Sequence, residues 1–187
     1  LDPHRRFVAT SPTGPSFNAD AKNFGKGMHW DVHGPWKNPY ETFEEWEAYW
    51  KADDSLLRSE TGAAGASPAG LIQKYAGGIN PFPSTEGNPL WRRTPWWNDW
   101  PVFLREFGRE PESLEEFTEW SADYQARQLR VAAQCSKQRF PKCGGFIVWM
   151  GHDSFPCTAN TSVIDFELNP KPAFFALREI FLSASRK

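Results

Sequence analysis

The stretch that most restricts the fold is Phe146-Ile147-Val148-Trp149-Met150, five apolar residues in a row behind Gly144-Gly145. A strand with one wet face alternates apolar and polar residues, and this run does not. It therefore predicts a strand buried on both faces, as in a parallel sheet covered by helices.

A parallel sheet needs helical crossovers, and the flanking sequence supplies them. Ser113, with Glu116 three residues on, reads as a capping box. Leu114, Phe117, Trp120, Tyr124 and Leu129 then form an apolar stripe to about residue 139, where Phe140-Pro141 stops it. A final helix is expected over 172–184, with Phe174, Leu177 and Phe181 on one face. Thr42 and Glu45 make an earlier capping box, followed by Phe43, Trp46 and Trp50 at helical spacing, so a helix is expected over 41–52.

Three more strands are expected: 5–10 ("RRFVAT"), 28–32 ("MHWDV") and 56–59 ("LLRS"). Pro68 opens a short helix over 68–76, and a briefer one is expected near 103–107. Between them lies a long Gly/Pro/Trp segment, 77–101, of the length usually given to lids and binding loops. The order predicts an α/β domain with a mainly parallel sheet and helices outside. Four strands are too few to close a (β/α)8 barrel but make half of one. The 187 residues suit one domain, and residues 1–187 are read as a single partial barrel. A start at Leu1-Asp2-Pro3, without Met or an apolar leader, suggests a piece of a longer chain.

The formal net charge of -2 gives no electrostatic case for nucleic acid or an anionic membrane surface. No apolar run is long enough for a membrane-spanning helix. Three cysteines, Cys135, Cys143 and Cys157, show no metal spacing and allow at most one bridge. His4 and His33 have no pairing that suggests a metal. Neither a metal nor a cofactor is expected. Ten Trp and fifteen Phe make aromatics the outlier in the composition, with two readings: a large aromatic core, expected to take about half of the Trp residues, and stacking platforms in a cleft for flat apolar faces such as those of sugars.

In barrel enzymes the chemistry sits at the C-terminal ends of the strands. The candidate ends here are Thr10-Ser11, His29 to Asp31, Ser59-Glu60 and Trp149 to Asp153. Parallel strands would bring these ends to one rim. A Glu with a Trp and a His nearby matches the needs of a glycosidase: a nucleophile, a stacking surface and a hydroxyl-binding group.

Four segments, in order, resemble the catalytic barrel of glycoside hydrolase family two, the β-galactosidase, β-mannosidase and β-glucuronidase group. They are Arg5-Arg6-Phe7-Val8-Ala9-Thr10-Ser11-Pro12-Thr13-Gly14, Met28-His29-Trp30-Asp31-Val32, Arg58-Ser59-Glu60-Thr61-Gly62 and Trp149-Met150-Gly151-His152-Asp153-Ser154-Phe155-Pro156. Ser162 to Phe166 and Pro170 to Ala173 continue the likeness.

The resemblance implies strands five to eight of the barrel, its C-terminal half. It implies a retaining exo-β-glycosidase in which Glu60 attacks the anomeric carbon and forms a glycosyl-enzyme. Trp149 would floor the sugar site, His29 and Trp30 would flank it, and Asp153 would shape or contact it. Thr61, His152 and Phe155 depart from the family pattern and put subsite shape in question. The family's acid/base glutamate follows an Asn, and no Asn-Glu pair occurs in this chain.

The expected partners are a glycoside or oligosaccharide substrate and either the missing N-terminal half of the barrel or a second copy. An isolated fragment would then be inactive. The sugar stays open between β-mannoside and β-galactoside, with β-mannoside favoured by the His-Trp strand. A secreted or periplasmic setting follows only from what is usual for such enzymes. The competing reading is a non-catalytic, carbohydrate-binding or degenerate barrel segment, in which the aromatic rim binds sugar without cleaving it. Trp91, Trp96, Trp97 and Trp100 have two readings of their own: outer subsites, or rings packed on the barrel.

Overall fold

The computed structural model describes residues 3–4 and 9–183. In chain order the elements are β1 (Val32–His33), α1 (Phe43–Ala52), β2 (Arg58–Thr61), β3 (Gly65–Ala66), α2 (Ala69–Tyr75), α3 (Trp100–Phe107), α4 (Leu114–Gln138), β4 (Phe146–Val148), β5 (Ala159–Asn160) and α5 (Pro172–Leu182). The expected strand at 5–10 falls mostly on residues outside the described ones.

β1, β2 and β4 form a parallel sheet in the order β1-β2-β4. The mixed α/β class and the parallel pairing are as the sequence predicts. β3 and β5 form a separate antiparallel pair that the sequence pattern does not reveal, because two-residue strands carry no periodicity.

The helix ends follow local chemistry. Thr42 accepts a hydrogen bond from the Glu45 amide, and the Glu45 carboxylate accepts one from the Thr42 amide, so the first capping box is complete. At α4 only half of the expected box forms. The Ser113 hydroxyl accepts from the Glu116 amide, but the Glu116 carboxylate turns to the Glu112 amide and to the Arg109 guanidinium. A charged partner outbids the backbone N–H of the N-cap residue. α3 begins three residues earlier than expected and ends at Gly108, in the left-handed conformation that glycine adopts without strain.

α1, α4 and α5 cover one face of the sheet. Trp46, Trp50 and Ala132 pack with Phe146, and Leu129, Ala133, Leu177 and Ile180 pack with Phe146 and Val148. The other face is open: Ile147, in the middle of β4, is 55% exposed. The expectation that β4 is buried on both faces is therefore corrected. The run lacks polar alternation because both faces are apolar, yet this chain covers only one of them.

A second apolar cluster lies away from the sheet. There Trp91, Phe103, Leu114 and Phe117 bury the 77–101 segment against α4, and the Trp91 indole donates to the Pro81 carbonyl at 2.8 Å. Cys135, Cys143 and Cys157 are all free thiols.

Candidate functional site

β1 is Val32–His33, not the expected 28–32, and this changes which residues reach the rim. Parallel pairing sets Val32 beside Arg58 and His33 beside Glu60. The C-terminal rim therefore holds His33, Glu60, Thr61 and Trp149. It is stitched by backbone hydrogen bonds, from the Gly34 amide to the Glu60 carbonyl (2.7 Å) and from the Trp149 amide to the Thr61 carbonyl (2.7 Å).

β2 carries one residue more than either neighbour. One step on β1 spans two on β2, and two steps on β4 span three. Such a bulge re-aims side chains. Without it, Glu60 would share the face of Arg58, two residues back. Arg58 is fully buried on the helix side, where it pairs with Asp53 (2.6 Å), donates to Ser55, Tyr49 and the Gly34 carbonyl, and lies over the Trp50 ring. With the bulge, Ser59 and Glu60 both lie in the neighbourhood of Ser11 and His33. Ser11 Oγ is 3.1 Å from both Ser59 Oγ and His33 Nε2.

Glu60 is partly exposed, and each of its carboxylate oxygens has a nitrogen-bearing neighbour. The Trp36 indole N–H donates to Oε1 at 3.0 Å, and His33 Nδ1 lies 3.8 Å from Oε2. A carboxylate held by one neutral donor, with its other oxygen beside an imidazole, is oriented without being tied up in a close ion pair. That leaves a lone pair for nucleophilic attack.

Gly34 makes this grip possible. It has φ +63°, and a side chain there would press on the Trp36 ring. Gly62 does the same one strand along: a Cβ there would overlap the Trp149 carbonyl oxygen. Thr61 is buried and donates to the Pro35 carbonyl at 2.8 Å, tying β2 to the loop that carries Trp36.

Trp149 leaves β4 beside Glu60's strand and is 45% exposed. His29 and Trp30 lie elsewhere. The Leu56 amide donates to the His29 carbonyl, which puts His29 and Trp30 at the entry end of the sheet. Leu56 and Glu60 are four residues apart, roughly 13 Å along a strand. His29 is buried, with both ring nitrogens engaged: Nε2 accepts from the Asp20 amide, so Nδ1 carries the proton and donates to Asp54 at 2.6 Å. Burial would raise the Asp54 carboxyl, but the His29 hydrogen bond and the Gly25 amide outweigh it and hold it below its usual range. Trp30 is exposed at that same end.

Asp153 is buried and accepts from the Asn160 amide nitrogen at 3.1 Å. Cys157 and Lys171 share its surroundings. Burial, with Asp153 adding to it, pushes the Cys157 thiol up to about 12. Burial also lowers Lys171 despite the nearby acids. Glu60 is not among the partners of Asp153.

Sequence reading missed His33 and Trp36 as companions of Glu60, while Ser11 and Ser59 fall at the rim where the strand ends put them. The one signal available was the Gly34-Pro35 turn, which marks a strand end just after His33 rather than before it. No group of three or more metal-ligating side chains occurs among the described residues.

The fold recurs within solved structures. A β-D-mannosidase from Dictyoglomus thermophilum matches with a TM-score of 0.53 at 17% identity, over 86% of this chain and 20% of that one. The exo-β-D-glucosaminidase CsxA matches with a TM-score of 0.51 at 14% identity, over 79% of this chain and 19% of that one. The chain folds like a segment of two glycosidases. It spans about a fifth of their length, 20% and 19%. At such identities the likeness is one of fold. No protein-family model matches the chain, and no curated protein does.

Proposed function

We propose that the chain is part of a retaining exo-β-glycosidase in which Glu60 is the nucleophile. One observation carries this reading: the bulge in β2 turns Glu60 onto the open face of the sheet, at its C-terminal rim, with its carboxylate gripped by Trp36 and flanked by His33. The ordered motifs and the two glycosidase neighbours support it. Trp149, at the next strand exit, offers a ring to the apolar face of the sugar.

Retaining hydrolysis uses two carboxyl groups about 5 to 5.5 Å apart. We assign one of them to this chain. The acid/base group belongs to a segment outside it, which would also cover Ile147 and complete a barrel with β1, β2 and β4 as part of its wall. That segment is the preceding half of the same protein or a second copy. The substrate on this reading is a β-linked glycoside.

The test uses the full-length protein, meaning this chain with whatever precedes or follows it. Treatment with a 2-fluoro β-glycosyl fluoride is expected to add one glycosyl mass to the peptide containing Glu60, and Glu60→Gln is expected to abolish the adduct. An adduct on another carboxylate, or an unlabelled protein that still hydrolyses aryl β-glycosides after Glu60→Gln, refutes the assignment. A protein that binds β-glycosides but neither labels nor cleaves them would instead fit the sugar-binding alternative. The exposed rings of Trp149 and Trp96 favour that second reading.

A further inference from the structure

Beside the rim lies a groove of about 560 Å³ that the motifs do not account for, walled by Asn18, Pro35, Trp36, Lys37, Trp96 and Trp97. Its volume falls in the range of small-ligand sites, and its lining is aromatic with a few polar groups, as such sites are.

The walls are fixed to one another. The Lys37 ammonium donates to the Trp96 carbonyl at 3.0 Å, tying the loop after β1 to the single 3-10 turn Pro95–Trp97. The segment holding Asn18 runs beside β1, with the His33 amide donating to the Phe17 carbonyl at 2.9 Å. Trp96 is nonetheless 69% exposed. A large exposed ring on an anchored backbone at the edge of a walled groove is available to stack on a ligand.

Trp36 connects the groove to the carboxylate. Its indole N–H holds Glu60 Oε1, and its ring lines the groove. The sheet order adds direction. Glu60 stands on the middle strand, Trp149 on the β4 side and the Trp36 groove on the β1 side. Neighbouring strands are about 4.8 Å apart, so the two aromatic surfaces flank the carboxylate across roughly 10 Å. A bond cleaved at Glu60 has a sugar on each side.

We infer that the Trp36–Trp96–Trp97 groove is the subsite for the leaving-group sugar, so that the substrate is a β-linked oligosaccharide rather than a simple glycoside. This rests on the nucleophile reading of Glu60, with Trp149 under the sugar that becomes attached. The leaving pyranose would stack its apolar face on Trp96 or Trp97 and offer hydroxyls to Asn18 and Lys37.

The test is binding without cleavage. Full-length protein carrying Glu60→Gln is titrated calorimetrically with β-1,4-mannobiose and with a β-1,4-linked glucosamine disaccharide, each against its methyl monosaccharide. At least one disaccharide is expected to bind about 3- to 10-fold tighter than its monosaccharide, the contribution of one aromatic platform. Trp96→Ala and Trp97→Ala are expected to remove that advantage, and Trp96→Phe to restore much of it. Trp96 is exposed, so a melting curve matching the parent's is expected for its variants, and Trp96→Phe separates loss of stacking from loss of fold. Equal affinity for disaccharide and monosaccharide in both pairs, or an advantage that survives both alanine variants, overturns the inference. The 2-fluoro label on Glu60 is read separately: a missing label with an intact disaccharide advantage removes the catalytic reading and leaves the groove as a sugar-binding site.

Discussion

Replacing Arg58 with Met strips the buried Asp53 of one of its two guanidinium partners, the other being Arg139. Arg58 makes an ion pair at 2.6 Å, donates to Ser55 Oγ and Tyr49 Oη at 2.9 Å each, and donates to the Gly34 carbonyl at 2.5 Å. It also lies 4.6 Å from the centre of the Trp50 ring. Removing one member of a buried pair costs about 3–5 kcal/mol, because a charge is left in a poor dielectric. Arg139 stays beside Asp53 and keeps the cost near the lower end, while the stranded Gly34 carbonyl adds about 1 kcal/mol.

A loss of roughly 3–4 kcal/mol in a chain of this size lowers Tm by about 6 to 16 °C. Arg58→Lys is expected to recover little, since an ammonium cannot present the planar fork that meets Asp53, Ser55 and Gly34 together. Thermal unfolding followed by circular dichroism measures both variants. Adding Asp53→Asn to Arg58→Met is expected to cost less than the sum of the single changes, because the stranded charge is gone. A Tm within about 2 °C of the parent for Arg58→Met, or Arg58→Lys indistinguishable from the parent, refutes the reasoning. The site depends on this pair too: Gly34, held by Arg58 from behind, donates its amide to the Glu60 carbonyl.

Two further outcomes are expected. Burial pushes the Asp99 carboxyl up to about 7, only partly offset by Lys37 and a Ser121 hydrogen bond. The folded state thus binds the Asp99 proton more tightly than the unfolded chain, and stability falls as pH rises from about 4 through about 7, by roughly 4 kcal/mol at most. Asp99→Asn should flatten that slope in a pH series of unfolding curves, and an unchanged slope refutes the assignment. His29→Ala breaks the Asp54 pair and is expected to cost about 1–3 kcal/mol of stability, while 2-fluoro labelling of Glu60 in the folded protein keeps its rate within about twofold. A labelling rate that falls tenfold, by about 1.4 kcal/mol of barrier, would return His29 to the sugar site.

Local chemistry made much of the chain legible. The stripes of α1, α4 and α5 and the caps of α1 and α4 depend on neighbours three and four residues away, so the three spans fall within two residues of the pattern. β4 was equally clear, being an unbroken apolar run bounded by glycines. β1 was misplaced. "MHWDV" looks strand-like, but its first part forms the entry segment, where His29 is spent on Asp20 and Asp54. A four-residue error along a parallel strand moved His29 and Trp30 to the far end of the sheet.

The sequence alone therefore determined the α/β class, the helices and the choice of Glu60 as the acid to watch, because those rest on short-range periodicity and an ordered set of motifs. Tertiary structure decided what surrounds that acid. The bulge in β2 turns it to the open face, the parallel register sets His33 at its side, and the turn at Gly34 brings in Trp36. Each of these is a relation between strands far apart in the chain, and an unbroken apolar run such as β4, with no alternation to distinguish its faces, specifies register only weakly.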